Sequence, residues 1–92
     1  VLRAANRESF NRVSVDAEMS TSDMALLFAS GKAGNSALRS RRSPGADVFE
    51  EAVGEVCGEL ARAIARDGEG ATKLLTVEVT GAKTPRDAES AA

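Results

Sequence analysis

Apolar residues recur at helical spacing in several stretches of the chain and alternate in two others. The longest helical pattern runs from Ala46 to Arg66, introduced by Ser43-Pro44, with Phe49, Val53, Val56, Leu60 and Ile64 three or four residues apart. That spacing predicts a helix about 30 Å long with one core-facing stripe. Glu51, Glu55, Glu59, Arg62 and Arg66 form a charged face, with Glu59 and Arg62 spaced to pair. A third face holds Gly54, Gly58, Ala61 and Ala65. An interior glycine costs about 1 kcal/mol against alanine, so two in line predict that another backbone packs close. A face of small exposed residues is the plain alternative.

The alternating stretches read as strands. In Phe10–Asp16, Val13 and Val15 share one face, with Arg12, Ser14 and Asp16 on the other. In residues 74–80, Leu75, Val77 and Val79 alternate with Leu74, Thr76, Glu78 and Thr80 up to Gly81. Between and around them lie shorter helical signals. Val1, Leu2 and Ala5 open the chain inside a helix that residues 6–9 end. Ser20-Thr21-Ser22-Asp23 forms a variant capping box, Ser20 serving the amide of Asp23, ahead of Met24, Leu27 and Phe28, with Gly31 as the stop. The same hydroxyls and carboxylate at a helix start also suit a ligand. Residues 31–46, with Arg39, Arg41 and Arg42, read as an exposed connection. Thr84-Pro85-Arg86-Asp87 starts a last helix. The order is roughly α-β-α-α-β-α, an α+β layered chain. Both ends read as internal to a longer protein, so residues 1–92 are expected to be a single partial domain.

Composition narrows the picture. A chain of 92 residues buries only about 60–65% of its unfolded surface, and aromatics are 3% with no Trp or Tyr. The core must therefore rest on Val, Leu, Ile and Ala, with Phe10, Phe28 and Phe49 as its large anchors. A net charge of −2 without a basic face argues against a nucleic-acid partner. No apolar run reaches the length of a membrane span, and no signal peptide is visible. Cys57 stands alone, which excludes an internal disulfide and fits a reducing compartment. It borders the apolar face with no base nearby, so it reads as a packing residue. The absence of histidine removes His-based triads and the usual zinc sites, and no metal site or cofactor is expected.

The stretch richest in chemistry is Arg66-Asp67-Gly68-Glu69-Gly70-Ala71-Thr72-Lys73, where the long helix stops and the second strand begins. It does not have phosphate-loop spacing, since Lys73 follows Thr72 rather than Gly70. Its order is also reversed: a phosphate loop leads from strand to helix N-terminus, where the amides face an anion. Here a helix C-terminus, with its partial negative charge, meets the Glu69 carboxylate, an arrangement that favours a cation such as a substrate ammonium. A simple αβ turn, with Gly68 as the helix stop and Glu69 solvated, accounts for the same residues. No serine or threonine sits in a recognisable nucleophile setting.

Two segments carry a specific likeness. Ser9-Phe10-Asn11-Arg12-Val13-Ser14-Val15-Asp16 with Ser20-Thr21-Ser22-Asp23 resembles a stretch of the ornithine acetyltransferase (glutamate N-acetyltransferase) family. Arg66-Asp67-Gly68-Glu69-Gly70-Ala71-Thr72-Lys73 followed by Val77-Glu78-Val79-Thr80-Gly81-Ala82 resembles a second, in the same order. Ala17-Glu18-Met19 and Ser22 depart from the pattern, standing where Gly-Asp-Thr and Asn are expected. The resemblance implies the family's self-cleaving, Ntn-hydrolase-like layered fold, with this chain a segment of the β chain. It implies a parent enzyme of arginine biosynthesis that moves acetyl from N-acetylornithine to glutamate through an acetyl-threonine intermediate. Some members also accept acetyl-CoA. It further implies an α chain as partner, an α₂β₂ assembly, a cytoplasmic location, and a threonine nucleophile upstream of Val1. No catalytic residue is then expected within these residues, which should be inactive alone; Glu69 is the expected substrate-binding residue, and Asp67 and Lys73 take structural roles. The alternatives are a related self-cleaving amidase or aminopeptidase, and a small interaction module using the Gly54/Gly58/Ala61/Ala65 face.

Overall fold

The computed structural model describes residues 1–18 and 20–92, so Met19, one of the departures from the family pattern, lies outside the described residues. Its elements are α1 (Leu2–Glu8), a 3₁₀ turn over Phe10–Arg12, α2 (Ala46–Arg66) and α3 (Pro85–Ala91). Among the described residues no strand forms.

α2 has the bounds that its apolar periodicity predicts. Gly45 precedes it at φ 81°, without a side-chain cap, and Asp47 lies in the first turn, where a carboxylate complements the helix dipole. Asp67 N–H donates to the Ala63 and Ile64 carbonyls and closes the far end. α3 begins as its sequence requires. Thr84 Oγ1 accepts from Asp87 N–H at 3.2 Å and donates to the Asp87 carboxylate at 2.8 Å, and Pro85 follows the cap. α1 ends on Ser9, whose buried hydroxyl donates to the Ala5 carbonyl at 2.6 Å and satisfies one of the helix's orphan acceptors.

The core sits where α1 crosses α2. Ala5, Val53 and Cys57 are buried together, with Leu2 and Phe10 packed against them. Cys57 is thus a packing residue, as expected. The buried line of α2 is Val53, Cys57 and Ala61, flanked by half-buried Gly54, Gly58 and Ala65. This corrects the expected core-facing stripe: Val56, Leu60 and Ile64 are each more than half exposed. α1 is short and offers small side chains, so it nests against the small side of α2 rather than its bulky side. The expected close backbone approach is not made at the two glycines. A Cβ at Gly54 would meet nothing within 4 Å, and one at Gly58 would meet only the Arg62 guanidinium. Ala61, the most buried of the core residues, is where small size is used. Glu59 and Arg62 do not pair among the described residues, and Arg62 folds back over Gly58 instead.

Three sequence expectations give way to other local structure. The strand expected over Phe10–Asp16 starts as a 3₁₀ turn, because Arg12 N–H bonds Ser9 O and Val13 N–H bonds Phe10 O; Val13 that follows is extended, at φ −108° and ψ 133°. The helix expected after Ser20–Asp23 does not form. Ser20 Oγ accepts from Ser22 N–H, a tighter turn than a cap, and Met24 and Phe28 are exposed. A helix this short is marginal in water unless its apolar stripe finds a surface. Residues 71–80 carry no ladder, and Leu75 and Val77 stand in solvent. A strand exists only with a neighbour to take its amides and carbonyls, and among the described residues no ladder pairs the two alternating segments.

The connection is more structured than an inert linker. Ser43 Oγ accepts from the amides of Arg39 and Ser40, and Arg41 reaches Glu50 of α2 at 2.8 Å. Arg7 of α1 meets Glu89 of α3 at 3.2 Å, and Glu8 pairs with Arg12. Such exposed pairs contribute about 0–1 kcal/mol each. The radius of gyration is 16.0 Å, against about 12 Å for a compact chain of this length. The accessible surface is 8477 Å², against roughly 5,000 Å². Much apolar surface is left uncovered. Among the described residues no helix is long and apolar enough to cross a membrane.

Candidate substrate-binding turn

The turn that ends α2 is built from two glycines used for different physical reasons. Ala71 N–H donates to Gly68 O at 2.9 Å, closing a four-residue turn with Glu69 and Gly70 at its centre. Gly70 has φ 74°, the left-handed value that the third position of a type II turn demands. Gly68 needs no such angle. A Cβ built on it would stand 2.7 Å from Val15 Cγ1, so it is the absence of a side chain that lets the segment around Val15 lie against the helix end.

That fold leaves Glu69 projecting from the turn. It is exposed, and among the described residues it takes part in no ion pair or side-chain hydrogen bond. It sits three residues past the last residue of a 21-residue helix, where unpaired carbonyls add partial negative charge. A carboxylate at the negative end of a dipole adds to a local potential that favours a cation over an anion. An ammonium meets a carboxylate with charge-assisted hydrogen bonds of about 2.7–2.9 Å. Asp67 closes the helix through its backbone amide, and Lys73 lies exposed in the segment that follows.

A broad groove of about 1340 Å³ runs beside α2. Its apolar wall includes Phe10, Leu27, Val56, Leu60 and Ile64, so the stripe expected to face the core lines this groove instead. Ser20 and Asp23 line it as well, along with Asp16 and Glu18. Glu69 does not. The structure therefore does not gather Ser20–Asp23 and Glu69 into one site. Sequence reasoning assigned Asp16 only to the polar face of a strand and missed its place in the groove; the signal was its position beside Val15, which meets the turn.

Ala17 is the one non-glycine residue at positive φ among those described, at 64°. The resemblance read from the sequence implies glycine here, the residue that takes a left-handed backbone without strain. Its amide is held by Ser14 Oγ at 3.0 Å.

Comparison with known proteins places the whole chain. The model of the ArgJ family matches residues 1–92. The arginine biosynthesis bifunctional protein ArgJ of Geobacillus kaustophilus is 48% identical over 91 residues, covering 99% of this chain and 22% of that protein. The Geobacter sulfurreducens protein of the same name is 49% identical over 92 residues, covering 100% and 23%. ArgJ 1 of Clostridium acetobutylicum is 46% identical over 91 residues, covering 99% and 22%. The chain thus spans less than a quarter of the length of these relatives. No solved structure matches it.

Proposed function

The chain belongs to the ArgJ family, and on that premise we propose that it is a segment of an N-acetyltransferase of arginine biosynthesis in which Glu69 binds the substrate's ammonium group. The enzyme transfers acetyl from N-acetylornithine to glutamate through an acetyl-threonine intermediate. The observation that carries the reading is the uncommitted Glu69 carboxylate just beyond the negative end of α2. N-acetylornithine carries a free ammonium at the end of its side chain, and that charge fits this position. The attacking threonine lies outside these 92 residues; Thr84, for one, is engaged as the cap of α3. The segment acts as one wall of a site completed by other chain.

The partner in this reading is the α chain of the same precursor, in a cytoplasmic α₂β₂ assembly. The surface left open by the segment supports it. The excess over a compact chain is about 3,500 Å², the range buried in permanent rather than transient interfaces. In that assembly the alternating residues 74–80 find strand neighbours and the segment joins an α+β layered fold. The experiment is kinetic, on the complete gene product. Glu69→Gln keeps the shape and removes the charge, so KM for N-acetylornithine is expected to rise by about 10- to 100-fold, the loss of a hydrogen bond between charged groups. Assembly should be unchanged. A wild-type KM would return Glu69 to a solvated turn residue.

A further inference from the structure

We propose that Gly68 and Val15 form a positioning pair that sets the place of the Glu69 carboxylate, an inference that rests on the ammonium-binding reading of Glu69. The two glycines beside Glu69 separate cleanly. Gly70 has left-handed φ and open space where a Cβ would stand, so it serves the turn's conformation. Gly68 lacks that angle and has no room: a Cβ there would lie 2.7 Å from Val15 Cγ1, 3.5 Å from Cγ2 and 3.6 Å from Ala65 O. Carbon atoms in good contact sit about 3.5–4.0 Å apart, so any side chain at position 68 pushes the two segments apart.

Val15 is half exposed, so its resistance to displacement comes from its own local geometry rather than from packing around it. Its side chain is β-branched and stiff about χ1. Its backbone lies inside the turn that Ala17 N–H closes on Ser14 Oγ at 3.0 Å, and a second turn, Glu18 N–H to Asp16 Oδ1 at 3.0 Å, follows directly. The carbonyl of Gly68 is also the acceptor that closes the Glu69 turn. A displacement at Gly68 therefore passes directly into the turn that carries Glu69. Position 68 is restricted to glycine by the size of residue 15, and the pair acts on substrate only through Glu69.

The test is a size exchange in the complete gene product, read as acetyl transfer from N-acetylornithine. Gly68→Ala is expected to raise KM by about tenfold, with kcat changed by less than about twofold, since misplacing a binding group by about 1 Å is enough for such losses. Adding Val15→Ala removes the obstructing methyls and is expected to bring KM back toward wild type. A wild-type KM in Gly68→Ala, or an equal rise in the single and double variants, overturns the pair. If Gly68→Ala alone does not accumulate, the double variant decides: recovered protein with restored KM supports the pair, and no recovery overturns it. Glu69→Gln measured alongside separates the two claims. A raised KM there with no rescue at positions 68 and 15 overturns the pair alone, whereas a wild-type KM there overturns the ammonium reading and takes the pair with it.

Discussion

The crossing of α1 on α2 and the segment 71–80 are both rich in aliphatic residues, yet they fare oppositely. At the crossing, Ala5, Val53 and Cys57 are buried within a few residues of helix. Along 71–80, Leu75 is 82% exposed and Val77 68% exposed. Hydrophobicity is not the difference. A helix satisfies its own backbone, so two helices need only lay small faces together, whereas an extended segment must first find a neighbour for every amide and carbonyl. The crossing is complete within these residues, and the extended segment is not.

The contrast is sharpest with a charge placed in each region. Val53→Asp would bury an unpaired carboxylate between α1 and α2, costing about 3 kcal/mol or more. Loss of amide-exchange protection in α1 is the expected outcome. Leu75→Asp should leave the same amides unchanged in this chain; equal effects would erase the distinction between the two regions. The next test adds volume. Ala61 is 3% exposed, so Ala61→Leu should overpack the crossing by about 1–3 kcal/mol in urea unfolding, while Ala63→Leu on the exposed side should be near neutral. The smallest effect is a gain. Ala17 sits at φ 64°, a conformation that costs a residue with a Cβ roughly 1–2 kcal/mol. Ala17→Gly should therefore stabilise the turn by up to about 1 kcal/mol after the extra entropy of glycine, read as slower amide exchange at residues 14–18.

Glu69 shows how far a local signal reaches. Its motif and its position in a turn just past a helix end were legible in the residues from Arg66 to Lys73, because a helix terminus and a glycine turn are local objects. The contact of Gly68 with Val15 was not legible, since it joins positions more than fifty residues apart. The same division explains the departures. Ser20–Asp23 has the residues of a cap, but with nothing for Met24 and Phe28 to cover, Ser20 bonds the nearer amide of Ser22.

The chain's residues were sufficient to specify α2 from Ala46 to Arg66 and the Thr84-Pro85 start of α3, and to place a helix at the beginning of the chain. Their hydrogen bonds close within four residues and their caps lie next to them. Packing settled which face of α2 is buried, why Gly68 has no side chain, and whether Val13–Asp16 and residues 74–80 become strands. Those outcomes depend on what surface arrives from elsewhere in the chain, and periodicity records how apolar a face is without recording what will meet it.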